Sequence, residues 1–424
     1  MRDLFVTIVV FGSLPIILSE PYIGVLMWSW IGYMNPHRLS WGFARDFPFA
    51  MIVAITTLFA LMVSTERKRV PMTREVVILT IFIVWMAVTT IFAKYPGLAF
   101  EHLIKILKIE LMTYITMMLI YNRKRLDLLL WVIVLSLGFY GVKGGIFTIL
   151  TGGVYHVRGP VGTFIGGNNE VGLALIMTLP LMRYLQLRAR RRWVRLAWTG
   201  AMLLTGIAIL GTQSRGALLG VTAMGIFLLW KSRRRFVLLL GMAIAIPIAL
   251  SIMPQKWYNR MATIQTYQQD ASAEGRINAW RFATNVALDH PVVGGGLQIF
   301  AYRRAAHSIY FEVLGEHGFP GLALFLLLGI ATWRGGSRVI RQTKEIPELW
   351  WARDMASMLQ VSLVGFAVSG AFLSLAYFDL YYHLIAIMVM CQIIVRQELP
   401  AHESATDAAK AGPTGAWPVP TPRL

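Results

Sequence analysis

A single cysteine, Cys391, stands among 424 residues and lies in an apolar run, so neither an internal disulfide nor a redox-dependent fold is available to this chain. Acidic side chains are scarce as well, with 21 Asp and Glu against 40 Lys and Arg. They form no HExxH, no Asp-x-Asp pair and no compact carboxylate cluster, and no paired CxxC accompanies them. Those absences argue against a metal hydrolase and against a divalent ion held to a nucleotide-sugar diphosphate, so no metal site is expected. A GxxxxGK[ST] loop is also missing, and the glycines of GGGLQ at 294–298 lack the strand and helix that make a nucleotide cradle. The chain is not read as an ATPase, and no cofactor is expected.

What the chain has in abundance is apolar sequence: 56% of it is hydrophobic and only 14% charged. A bilayer core about 30 Å thick takes about 20 apolar residues per helical crossing, and this chain holds material for about a dozen. In hydrocarbon each segment must satisfy its own backbone, so the expected fold class is all-α, a polytopic membrane protein. The net charge of +19 sorts into five short basic loops near 67–74, 123–125, 188–195, 231–235 and 334–344, separated by pairs of apolar segments. That spacing fits the positive-inside rule, and no nucleic-acid partner is expected.

Parity then sets the topology. Helix pairs are expected near 75–93 and 98–121, 126–150 and 168–187, 196–211 and 215–230, 236–253 and 308–333, and 354–374 and 380–396. Residues 47–64 enter the cytoplasm from outside. Residues 1–34, interrupted by Pro15, Glu20 and Pro21, are expected to make one crossing plus a half-buried element, with the N-terminus inside. No small-residue cleavage site follows the first apolar run, so no cleavable signal peptide is expected. The Ala- and Pro-rich stretch from 398 to 424 is expected to be a disordered cytoplasmic tail, leaving 1–397 as the membrane domain.

Candidate chemistry falls on the external side of this topology. An arginine at mid-bilayer costs roughly 2.5–3.5 kcal/mol on an insertion scale, so Arg215 in the run AILGTQSRGALLG calls for an explanation. Parity puts it near the external end of its helix. The same side receives 151–167, with Arg158, and a long segment 254–306. Within that segment Ile277, Trp280, Ala283, Thr284 and Ala287 recur at helical spacing, which predicts an amphipathic helix lying on the external face. Pro291 and Gly294, Gly295 and Gly296 follow as a stop and flexible link. Arg276 and Arg281 lie on this helix, and Arg281 equally suits snorkelling to lipid headgroups.

His307 follows, where a neutral imidazole can accept a proton. His317 is ten residues further on, about 15 Å along a continuous helix at 1.5 Å per residue, too far to share a zinc with His307. Asn168 and Asn169 open a crossing, as caps or as sugar contacts. Guanidinium groups suit phosphate oxygens and can stabilise a pyrophosphate leaving group without a metal.

Five stretches, GPVGTFIGGNNEVGLAL (159–175), SRGALLG (214–220), EGRINAW (274–280), DHPVVGGG (289–296) and HSIYFEVLGEHGFPGL (307–322), resemble in wording and order the O-antigen ligase and O-antigen polymerase superfamily. The ligase branch is the nearest, and the Asn-Asn pair and the last stretch look like bacterial O-glycosylation ligases found near exosortase systems. The resemblance runs over 140–330; the first 140 residues match in hydropathy alone.

It implies a GT-C-like, metal-independent, inverting glycosyltransferase of the bacterial inner membrane, with its active site facing the periplasm. Such an enzyme moves a glycan from undecaprenyl pyrophosphate to a sugar hydroxyl of lipid A-core, among membrane lipids. By the same resemblance His307 is the base that deprotonates or orients the acceptor hydroxyl, and Arg215 and Arg276 grip the pyrophosphate. Arg158 and Lys143 are further phosphate contacts. A polymerase or a protein O-glycosylation ligase using the same donor remains open. An anion transporter is a reading of another class, although no internal symmetry of the transporter kind is evident.

Overall fold

A computed structural model describes residues 1–66, 68–231, 235–262 and 271–410. Arg67, Arg233 and Arg234 of the basic loops, and the tail beyond Lys410, lie outside the described residues. Among these residues every regular element is a helix, as a backbone facing hydrocarbon requires. The chain opens with α1 (Arg2–Ser19), α2 (Pro21–Met34), α3 (Phe49–Val63), α4 (Arg74–Ile91) and α5 (Pro96–Leu119). It continues through α6 (Arg123–Leu150), α7 (Asn168–Arg188), α8 (Arg192–Gly211), α9 (Arg215–Lys231) and α10 (Arg235–Ser251). The last five are α11 (Gln255–Ala262), α12 (Ala271–Asp289), α13 (Ile309–Gln342), α14 (Trp350–Gly370) and α15 (Asp379–Lys410).

The helix starts have local causes. Thr73 caps α4 by accepting from the Val76 amide, and Asn122 caps α6 by accepting from the Arg125 amide at 2.9 Å. Pro21 and Pro96 occupy the first turns of α2 and α5, where an N–H has no intrahelical partner to lose.

By length and composition α1, α4, α6, α7, α8, α13 and α15 can each cross a membrane. The bent pair α10–α11, turned through 113°, makes an eighth if it is one span. α2, α3 and α9, with 14, 15 and 17 residues, are shorter than a full crossing. Burial orders the bundle: 89% of the apolar window of α15 and 78% of that of α7 are buried, against 22% in α1 and 28% in α8. α7 and α15 are the axis, while α1 and α8 lie at the periphery. α6 and α8 approach so closely that a Cβ on Gly145 would run into the Leu204 carbonyl, the small-residue contact that membrane helices use. α15 continues past 398, the start of the expected tail, as helix to Lys410.

The N-terminal segment departs from expectation. Arg2 donates to the Leu39 carbonyl and Asp3 accepts from the amides of Gly42 and Ala44, whereas Glu20 lies 3.8 Å from Arg125. Arg125 also pairs with Glu66 at 2.6 Å, at the end of the bundle where the basic loops gather. α1 and α2 are thus an antiparallel hairpin turning at Glu20, and residue 1 sits at the end opposite the basic loops, not beside them. Pro15 is accommodated inside α1, so the only break is the one at Pro21.

A second departure concerns the triple glycine, which is a packed joint and not a flexible link. Gly295 and Gly296 donate to the carbonyls of Gly315 and Glu316 at 2.8 and 2.9 Å, and Lys94 donates to Gly295 at 3.0 Å. Gly296 has φ 78°, and a Cβ there would run into Ala93, so only glycine fits. α13 breaks at Gly318, whose φ is 66°, and His307 precedes the helix with a left-handed φ of 49°. Residues 309–317 between the two histidines are continuous helix; only His307 and Ser308 lie outside it, and the break at Gly318 comes after His317.

Candidate active site

The end of the bundle away from the basic loops is where the motif residues meet, and hydrogen bonds between loops hold them there. Val157 donates to the Gly211 carbonyl at 2.9 Å, Gln213 Nε2 to Gly153 at 2.9 Å, and Asn168 Nδ2 to Thr212 at 2.9 Å. The 151–167 loop is so tied to the break between α8 and α9. Gln213 takes a left-handed φ of 53° at that break, a strained conformation for a non-glycine residue. Ser214 Oγ then accepts from the Ala217 amide at 3.2 Å, which caps α9 and starts it at Arg215. Arg215 is half-buried in the first turn. Gly216 packs against Phe372 in the turn 371–378.

The same turn holds His307. Ser374 Oγ accepts from the His307 amide at 2.7 Å, and two residues on the Ala376 amide donates to Glu312 at 2.9 Å. Gly216, next to Arg215, and His307 are therefore both held to one short turn, through Phe372 and Ser374.

On its other side His307 meets α12, the expected amphipathic helix. Ala279, Ala283 and Ala287 are its buried face, and Ala283 packs with Ile299, Phe300 and Ala306 in a small core of its own. Trp280 Nε1 donates to the Ala306 carbonyl at 3.0 Å and its ring stacks on Phe311 at 5.1 Å, which presses α12 against the start of α13. Arg276, one turn before Trp280, is thereby set beside His307. Partial burial, then the positive charges of Arg276 and Arg304, hold the His307 pKa below its ordinary 6.5, so the neutral, proton-accepting imidazole is favoured. An open cavity of about 450 Å³ adjoins, lined on one wall by α12 from Glu274 to Phe282 and on the other by Arg303 and Arg304.

The remaining expected residues are more scattered. Arg158 is exposed, next to His156, whose imidazole lies 3.3 Å from the Thr212 carbonyl and also feels Arg260 and Lys256. Arg281 is exposed on the outer face of α12. Lys143 is exposed on α6, with Nζ 5.7 Å from the centre of the Phe139 ring. Asn168 and Asn169 do not cap α7: the cap position is Gly167, and the Asn168 side chain makes the bond to Thr212 instead. Among the described residues no group of three or more His, Cys, Asp or Glu side chains is placed to hold a metal ion.

Sequence reasoning missed the polar network beneath His307. Glu316 accepts from the Gln298 amide at 2.8 Å and from the Tyr377 hydroxyl at 2.6 Å. Tyr377 in turn meets His317 Nε2 at 2.8 Å, and His317 Nδ1 meets the Thr89 hydroxyl at 2.6 Å. With the phenol donating to Glu316, Nε2–H donates to the phenol oxygen. The available signal was Glu316 and His317 themselves, two ionisable residues in an apolar segment.

The comparisons divide the chain. Residues 1–207 match the model of a family of unknown function (DUF5935), and residues 200–326 match that of the O-antigen ligase family (Wzy_C). The first 140 residues thus have a family of their own beyond their hydropathy, and the GPVGTF stretch falls inside it. No curated protein matches the chain. The second segment contains Arg215, Arg276 and His307, and it implies a glycosyltransferase-like enzyme of O-antigen processing with a lipid-linked glycan donor and a lipid acceptor in the membrane. The match of residues 200–326 to the O-antigen ligase family supports membership of this multi-pass membrane protein in the O-antigen ligase and polymerase superfamily.

Proposed function

We propose that the protein is an O-antigen ligase, which transfers a glycan from undecaprenyl pyrophosphate to a sugar hydroxyl of lipid A-core, without a metal ion and with inversion at the anomeric carbon. The observation that carries this reading is the setting of His307, which has its amide on Ser374, Arg276 beside it, and Gly216, the neighbour of Arg215, packed on the same turn. His307, kept neutral by burial and by its arginine neighbours, takes the acceptor hydroxyl proton as that oxygen attacks the anomeric carbon. The bond from that carbon to the pyrophosphate oxygen breaks, and the electron pair leaves with the carrier pyrophosphate. Arg215 and Arg276 offset the charge that develops there, Arg215 from the first turn of a helix whose dipole adds to its own charge. Arg158, exposed beside the same break, is a further contact for the diphosphate. Displacement of a group already activated for leaving asks more of positioning and charge than of an acid.

Residues 1–397 act in this reading as one membrane unit in the inner membrane. The basic loops gathered at one end support a cytoplasmic assignment for that end, which turns the site toward the periplasm.

Purified protein given lipid A-core and undecaprenyl pyrophosphate glycan should yield capped lipid A-core. Lengthened carrier-linked chains with no transfer to core would make it a polymerase, and labelled glycan on protein but not on lipid A would make it a protein O-glycosylation ligase.

A further inference from the structure

A cavity of about 410 Å³ opens on α6 at the end of the bundle where the basic loops gather, and the transfer scheme gives it no role. It is lined by Arg123, Lys124, Asp127, Leu128 and Trp131. Two of these side chains already have protein partners. Arg123 lies 3.7 Å from Asp127 and 5.0 Å from the centre of the Trp351 ring, and Asp127 accepts from the Tyr184 hydroxyl at 2.9 Å. Asp127 therefore offsets the charge of Arg123. The charge left over is that of Lys124, which is exposed and has no ion pair among the described residues.

The neighbouring helix adds to it. Trp131 packs on Trp198 of α8 with ring centres 5.5 Å apart, and further along Gly141 meets Thr205 and Gly211 meets Thr148, so α6 and α8 run side by side in one direction. Arg191 and Arg192, exposed at the start of α8, therefore stand at about the depth of Arg123 and Lys124. Beyond the cations the surface turns apolar: Trp131, Leu135 and Phe139 recur at every fourth position of α6 and are 38%, 57% and 40% exposed. Positive charge, an amphipathic indole and an apolar track thus follow one another along a single line. A soluble phosphate would use the cations and leave the track idle, and a zwitterionic lipid would bring a second positive charge beside Lys124. The chemistry that uses every part is an anionic phospholipid, with its phosphate at Lys124 and an acyl chain along Trp131, Leu135 and Phe139.

We propose that this cavity, beside the contact of α6 with α8, is a binding site for one anionic glycerophospholipid of the surrounding membrane. It needs neither the ligase reading nor an unpaired Arg123. Lys124 sets the selectivity for the anionic headgroup, and Trp131 with the track behind it holds the chain whatever the headgroup.

Purified full-length protein is mixed in detergent with equal amounts of a phosphatidylglycerol and a phosphatidylcholine carrying the same chains, and the lipid it retains is measured by native mass spectrometry. Wild type should keep the phosphatidylglycerol about fivefold over the phosphatidylcholine, the attraction of one basic side chain to an anionic lipid. The ratio should fall near one in Lys124→Gln and be kept in Lys124→Arg, which also shows that the protein is folded. Trp131→Ala should lower retention of both lipids and leave their ratio alone. Arg334→Gln, at an exposed arginine of another basic loop, should change neither. Equal retention of the two lipids by the wild type, or a ratio untouched by Lys124→Gln, overturns the proposal. So does the same loss in Arg334→Gln as in Lys124→Gln, which makes the attraction a property of the whole basic face. Binding of glycerol phosphate as tight as that of phosphatidylglycerol overturns it as well, because the apolar track then contributes nothing and the site takes soluble phosphate.

Discussion

The arginine rim and the polar network just beneath it contrast sharply in where their hydrogen-bonding capacity points. In the network, Glu316, Tyr377, His317 and Thr89 bond to one another and to the Gln298 amide, and all four side chains are buried. At the rim, Arg158, Arg281 and Arg303 are exposed and Arg215 and Arg276 half-buried, and Arg303 lines an open cavity. Buried polar groups whose partners are all protein hold a geometry, whereas cations at the surface are set to meet something that arrives. The network is a frame that fixes loop 294–298 and turn 371–378, and the rim carried on that frame holds the residues to which the proposed transfer is assigned.

If this division is right, rim substitutions remove activity without unfolding the protein. His307→Ala should lower transfer by about 10²–10⁴-fold, the usual contribution of a positioned base. Arg215→Ala should lower it by about 10²–10³-fold, the loss typical of a donor aimed at developing charge. Both variants should insert and elute like wild type. Rates near wild type in either would remove that residue from the mechanism.

Frame substitutions should show the opposite pattern. Glu316→Ala leaves the buried Tyr377 hydroxyl without its acceptor, at a cost of about 1–3 kcal/mol, and the partly buried Gln298 amide loses its acceptor as well. Gly296→Ala adds backbone strain at φ 78° to a collision with Ala93. Thermal unfolding in detergent should fall clearly in both, with Tyr377→Phe intermediate. An unchanged unfolding temperature in Glu316→Ala would mean that the network is not a frame.

This contrast also explains what could be read in the residues alone. The helices α3 to α10 and α14 begin and end close to where hydropathy and basic loops place them, because most boundaries carry a local signal, such as Thr73, Asn122 or a run of arginines, whereas α13 and α15 run on to Gln342 and Lys410. Arg215, Arg276 and His307 stood out because a charged or titratable group next to lipid is conspicuous. The frame was invisible for the opposite reason. Glu316 meets Tyr377 across 61 residues, and His307 meets Ser374 across 67, and no periodicity links either pair. The glycines at 294–296 read as a hinge because composition reports conformational freedom, while the ladder of amides onto Gly315 and Glu316 is a tertiary fact. The α1–α2 hairpin was missed for a similar cause: Glu20 finds Arg125, and only the fold brings them together.

A pH profile tests the rim at finer grain. Burial and two arginines keep the His307 pKa below 6.5, so the acid limb of activity should lie below pH 6.5, where the imidazole finally protonates. Arg304→Ala removes one positive neighbour, so the limb should move up toward pH 6.5. The same group makes stability fall as pH drops below 6.5, because the unfolded chain then binds the proton first. An acid limb that stays in place in Arg304→Ala would mean that the base is a residue other than His307.

The smallest effect is expected where rim and frame join. Asn168 is not a cap; its amide reaches the Thr212 carbonyl at 2.9 Å and pins the start of α7 to the break that ends at Arg215. Asn168→Ala removes one partly buried hydrogen bond, worth about 0.5–1.5 kcal/mol, from a break already held by Val157 and Gln213. Unfolding should therefore shift by little more than the error of the measurement, while transfer falls a few-fold because Arg215 gains freedom. Asn168→Asp sharpens the test. A carboxylate cannot donate to Thr212 and would also bring a negative charge to the diphosphate, so it should fall below the alanine variant. If aspartate instead matches or exceeds alanine, Asn168 lies outside the field of the donor, and its bond serves only to close the fold.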